Sequence, residues 1–118
     1  MKKIAIVLSH SPFDSAISRE AHDMIMALAA VEHQVTVIYL DTAVLQLLPV
    51  QGTAKLGCKD YTPAQKLFEL YDVADVIASA TALQRYQIQP QQCLIAVTAM
   101  SCQDIHQLLA QQQHILRF

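Results

Sequence analysis

Three stretches of the chain carry apolar residues in nearly unbroken runs: KKIAIVLS at 2–9, VTVIYL at 35–40 and CLIAVTA at 93–99. Each is short and rich in β-branched residues, the pattern of strands buried on both faces of a parallel sheet. Between the first two, apolar positions recur at helical spacing. Ile17, Ala21, Met24, Ile25 and Leu28 form one stripe, with Arg19, Glu20, His22 and Asp23 largely opposite. On this reading His22, like His106 later in the chain, is a solvated helix position. Strand, helix, strand is the signature of an α/β fold.

The second half repeats the alternation. The pattern predicts a helix over 63–72, a strand over VADVIAS at 73–79, a helix over TALQRY at 81–86, the strand at 93–99, a helix over 101–112 and a short final strand, HILRF. The expected architecture is a three-layer α/β/α sandwich with a five-stranded, mainly parallel sheet and right-handed crossovers. One segment interrupts the rhythm. QLLPVQGTAKLGCKD holds both glycines and one of the four prolines, so a short helix over 42–48 should give way to an exposed loop running to about Asp60.

The helix at 101–112 begins with a recognisable start signal. Ser101 is a good N-cap, Asp104 follows three residues later, and apolar residues then recur at helical spacing. This places Cys102 in the first turn, where the helix dipole favours a thiolate. Cys102 also shares a stripe with Ile105 and Leu109, flanked by Leu108. Free cysteine is among the most buried residue types, so the stripe position reads Cys102 as packing.

Composition adds a constraint that the pattern lacks. A chain of 118 residues has room for one domain, 1–118, around a single core. Charged residues make up 15% and hydrophobic residues 53%, against about 25% and 45–50% in ordinary soluble domains. So few charges on a small domain imply that part of its surface meets another protein chain. The net charge is −2 and the eight basic residues are scattered, which argues against direct contact with nucleic acid. No apolar run reaches the length of a membrane span. The start, MKKIAIVLSHSPFD, opens like a signal peptide but breaks too early into polar sequence. With three cysteines in no framework spacing, it points to a reducing cytoplasm.

Ligands of open α/β sheets bind beyond the carboxyl ends of the strands, and there the chain offers little chemistry. SHSPFDSA follows the first strand and carries His10 and Asp14, but it has no glycine to let a phosphate approach the backbone. Asp14 or Ser15 is read as capping the first helix, and Asp41, a lone carboxylate, as capping the short helix after the second strand. His10, His22, His33, His106 and His114 show no zinc-like spacing, although His106 lies one turn after Cys102. Cys93 opens its strand and reads as core. Cys58 is the best reactive-thiol candidate, because Lys55 and Lys59 flank it in a glycine-containing loop and ammonium groups favour a thiolate. The residues therefore leave two alternatives to a structural role: an autonomous thiol or persulfide sulfurtransferase using Cys58, or a flavodoxin-like binding module.

QLLP at 46–49, DY at 60–61, LYD at 70–72 and the terminal ILRF at 115–118, with the first strand and Arg19–Glu20, together resemble the TusC-type, DsrF-like family within the DsrE/DsrF/DsrH superfamily. The resemblance spans the whole chain. It implies a cytoplasmic sulfur-relay complex in which TusB-like, TusC-like and TusD-like subunits form a dimer of heterotrimers. That complex takes persulfide sulfur from a TusA-like carrier and hands it to a TusE-like one, toward 2-thiouridine at the wobble position of tRNA. In this family the persulfide-bearing cysteine belongs to the TusD-like subunit, at the end of the third strand. Here that position falls on Ala78 or Ser79, and neither carries a thiol. Cys58 and Cys102 match no functional cysteine of the family, and Val50 stands where a glycine is expected after QLLP. The resemblance thus implies a non-catalytic subunit with no catalytic, cofactor-binding or metal-ligating residues of its own, no cofactor, and no direct contact with nucleic acid or membrane.

Overall fold

The computed structural model describes residues 2–9, 16–31, 33–48, 68, 73 and 75–118. Its regular elements in chain order are β1 (Lys3–Leu8), α1 (Ala16–Ala30), β2 (Gln34–Tyr39), a 3-10 helix (Asp41–Leu47), β3 (Asp75–Ser79), α2 (Ala80–Arg85), a 3-10 turn (Pro90–Gln92), β4 (Thr98–Met100), α3 (Cys102–Ala110) and β5 (His114–Arg117). The five strands form one sheet in the order β4-β3-β2-β1-β5, and every neighbouring pair is parallel.

That order determines where the helices go. From β1 to β4 the chain always steps in the same direction, so right-handed crossovers lay the connecting elements on one face. The return from β4 to β5 crosses the sheet in the opposite sense and carries α3 over the other face. On the first face Ile4, Ile6, Leu8, Val35, Val37, Tyr39 and Ala78 pack with Ala21, Ile25 and Ala29 of α1, with Leu47 of the 3-10 helix and with Leu83 of α2. On the second face Val7, Ile38 and Ile77 pack with Ile105 of α3. The three-layer α/β fold expected from the sequence is therefore present. Each fully buried Val, Leu or Ile side chain favours the folded state by about 1.5–3 kcal/mol.

The carboxyl-terminal residues are tied back to β1. Phe118 N–H donates to the Val7 carbonyl at 2.8 Å, and the Phe118 carbonyl accepts from Ser9 N–H at 2.9 Å and Ser9 Oγ at 3.1 Å. At the other end of β5, the Gln113 N–H donates to the Lys3 carbonyl and the Lys3 N–H to Gln113 Oε1.

Three sequence readings need correction. The fourth strand does not run over 93–99. It occupies Thr98–Met100, paired with Ile77–Ser79. The Leu94 N–H donates to the Leu47 carbonyl at 2.6 Å, and Cys93, Ile95 and Val97 pack half-buried against the first-face cluster. Those apolar residues dock sideways on the 3-10 helix instead of joining the ladder, and Cys93 is only partly buried instead of core. The third strand begins at Asp75, two residues later than expected. The buried stripe of α1 is rotated. Ala21, His22, Ile25 and Ala29 face inward, while Met24 is 39% exposed. The helix over 63–72 and the loop from Pro49 to Asp60, with Cys58, fall largely or wholly outside the described residues, Phe68 excepted.

Candidate functional site

The carboxyl edge of the sheet brings together Ser9 after β1, Asp41 and Thr42 after β2, Ser79 at the end of β3 and Ser101 after β4. Thr42 Oγ1 donates to the Ser9 carbonyl at 3.4 Å, linking the first two of these corners. Asp41 does not cap the short helix. The N-cap is Leu40, without a side-chain bond, and the turn closes through the Ala43 N–H to the Leu40 carbonyl at 2.9 Å. Asp41 itself takes a left-handed backbone with φ 49°, a conformation that Asp tolerates better than most residues. Asp14 and Ser15 lie outside the described residues.

The end of β3 is the position to which the sequence resemblance directs attention. Ala78 is fully buried beneath the first-face cluster. Ser79, half-buried, is the N-cap of α2, and its Oγ accepts the Ala82 N–H at 3.3 Å. A hydroxyl satisfies an otherwise orphan helix donor here. Neither Ala78 nor Ser79 offers the thiolate that uptake of sulfane sulfur needs.

The start signal of α3 is where the sequence placed it, for Ser101 Oγ accepts the Asp104 N–H at 3.2 Å. Cys102, however, is exposed. The residues of α3 that reach the sheet are Ile105, Leu108 and Leu109. The first turn begins just past Met100, the last residue of β4, and Cys102 is not among the residues packed on the sheet. His106 is exposed, as expected. The Cys93 thiol donates to the Gln89 carbonyl at 3.8 Å, and burial pushes its pKa up, which opposes reactivity at neutral pH.

His22 is the residue whose place the periodicity missed. It is 4% exposed, and its Nε2 lies 2.7 Å from Oε1 of the fully buried Gln46. Its ring meets Phe68 edge-on, with centroids 5.9 Å apart. Burial lowers its pKa from the ordinary 6.5, while the hydrogen bond to Gln46 and the charge of Asp23 pull it back up. The available signal was the column Ala21–Ile25–Ala29, which turns His22 inward when the stripe is centred on it. Among the described residues no three His, Cys, Asp or Glu side chains form a metal-binding group, and no helix is long and apolar enough to cross a membrane.

With the geometry in place, comparison with known proteins decides the family. The DsrE/DsrF-like family model matches residues 2–118. The chain belongs to the DsrE/DsrF-like family. Among its relatives are a TusC protein of Escherichia coli O157:H7, 32% identical over 119 residues, and a TusC homologue of Vibrio vulnificus, 30% identical over 118 residues, each covering 100% of both chains. The crystal structure of the YchN protein from E. coli covers 100% of both chains with a TM-score of 0.85 at 19% identity. A protein of unknown function from Methanobacterium thermoautotrophicum superposes with a TM-score of 0.66 at 11% identity. The family and the α/β fold expected from the sequence both stand.

Proposed function

We propose that this chain is a non-catalytic subunit of a TusBCD-like sulfurtransferase complex in the cytoplasm, acting as a single DsrE/DsrF-like domain. The complex relays persulfide sulfur for 2-thiouridine formation at the tRNA wobble position. The observation that carries this reading is the corner at Ala78–Ser79, where a buried methyl and a capping hydroxyl stand in place of a thiol. Full-length similarity to proteins named TusC supports the same assignment. The partners are TusB-like and TusD-like chains in a dimer of heterotrimers, and the sulfur-bearing cysteine belongs to the TusD-like one. TusA-like and TusE-like carriers deliver and collect the sulfur.

Surface composition supports an assembled state. Ile115 and Leu116 of the edge strand β5 are 47% and 36% exposed, one on each side of the strand, in a chain with only 15% charged residues. The test is co-expression with TusB-like and TusD-like subunits followed by native mass measurement. A complex containing all three chains in equal numbers is expected. A chain that stays monomeric and fails to co-purify overturns the proposal.

A further inference from the structure

Met24, Val31, Ile115 and Leu116 are exposed large apolar residues, and three of them line one trough. α1 runs over β1 and β2 with Ala21, Ile25 and Ala29 turned inward. One flank of that stripe carries His22, which reaches Gln46 of the 3-10 helix after β2, so this flank looks toward β3. At 3.6 residues per turn Met24, Leu28 and Val31 fall on the opposite flank, which looks toward the β5 edge. Leu116 is in register with Ile6, a first-face residue, and therefore lies on the first face as well. Phe118, two residues on, packs against the same cluster. Met24, Leu28 and Val31 thus form a wall, and Leu116 and Phe118 a floor.

The trough has the form of an empty place in the helix layer. Among the described residues the other first-face helices follow β2 and β3 and sit toward the opposite edge. Packed helices lie about 8–10 Å apart and neighbouring strands about 4.8 Å apart, so the place beside α1 falls over β5. A second copy fits it poorly. With α1 centred over β1 and β2, β5 reaches about 7 Å past it, and two α1 flanks brought within about 10 Å would force two β5 strands to overlap. Joining the two β5 edges instead leaves the helices about 19 Å apart and the trough open. The charges agree. Glu20, one turn before Met24, and Asp23 are both exposed, so paired α1 helices would bring acidic groups together. A foreign helix with a basic residue near Glu20 meets attraction instead.

We propose that the trough between α1 and β5 seats one helix of a different subunit, apolar along its buried side and carrying Lys or Arg where it passes Glu20. That helix completes the first-face layer over the edge strand. The inference rests on the subunit reading above, which makes the neighbour a TusB-like or TusD-like chain.

The experiment dilutes the assembly co-expressed with TusB-like and TusD-like subunits and reads, by native mass measurement, the concentration at which it releases this chain. The unsubstituted chain is compared with Met24→Lys, Val31→Lys and Glu20→Lys, and the unfolding midpoint of each isolated chain is measured alongside. All three positions are exposed, so the midpoints should stay unchanged. Met24→Lys and Val31→Lys should raise the release concentration at least about tenfold. Glu20→Lys should raise it by up to about fivefold at low salt and less at high salt. If Met24→Lys lowers the midpoint, Val31→Lys, 64% exposed just past the helix end, decides alone. An unsubstituted chain that never assembles defeats the subunit reading and this occupant with it. An assembly that holds the Lys variants as tightly as the unsubstituted chain overturns the trough alone and leaves that reading standing. An isolated chain that dimerises and loses its dimer in Val31→Lys places a second copy in the trough, which also overturns the proposal.

Discussion

β1 and β5 lie side by side in one sheet, and both carry consecutive apolar residues, IAIVL in KIAIVL and IL in HILR. Five of the six β1 residues are buried, whereas all four residues of β5 are exposed. β1 is flanked by strands on both sides and covered by helices, while β5 is an edge. An apolar strand in the centre of the sheet is explained by the folding of this chain. An exposed edge strand contributes little to that folding, and the proposed neighbouring subunits would give it a use. The pair shows that hydrophobicity along a sequence does not separate residues that build the monomer from residues that build an assembly.

The sharpest way to break this comparison is to truncate one residue from each strand. Ile6→Ala should cost about 2–5 kcal/mol in denaturant unfolding of the isolated chain, because a fully buried side chain leaves a cavity. Its register partner on β5 is Leu116, and Leu116→Ala should change stability by less than about 1 kcal/mol. Equal costs would mean that β5 belongs to the monomer's core after all. The first face can be tested next. His22→Leu removes the 2.7 Å hydrogen bond between His22 and the buried Gln46 and should cost about 1–3 kcal/mol above pH 6.5, shrinking as the pH falls because the unsubstituted chain loses its own advantage there. Ser101→Ala removes the N-cap of α3 and should cost about 1 kcal/mol. Cys102→Ser, at an exposed position, should lie within about 0.5 kcal/mol of the unsubstituted chain.

The central strands were legible almost to the residue. KKIAIVLS and VTVIYL each contain a β-strand displaced by at most one residue at either end, because a continuous β-branched run has few other ways to be buried. CLIAVTA misled for a related reason. An apolar run specifies packing and not ladder pairing: Cys93, Ile95 and Val97 pack half-buried against the first-face cluster, and Leu94 N–H bonds to the Leu47 carbonyl of the 3-10 helix. The α1 stripe was placed one step out of phase, since counting apolar residues favours Met24 over His22. What makes His22 tolerable inside is Gln46, 24 residues away in the chain, and no local pattern reveals such a partner. The thiol-free corner at Ala78–Ser79 was legible only beside the family pattern. The residues show a small side chain and a cap there, and the family supplies the cysteine they replace.

The central claim is that this subunit supports sulfur relay without carrying sulfur. The direct measurement replaces Cys58, Cys93 and Cys102, the chain's three cysteines, in the co-expressed assembly and follows transfer of labelled persulfide sulfur from the TusA-like donor to the TusE-like acceptor. Transfer at the rate of the unsubstituted complex, with no label recovered on this chain, is the expected result. Label on any of the three cysteines, together with loss of transfer when that cysteine is replaced in an assembly that still forms, would contradict it.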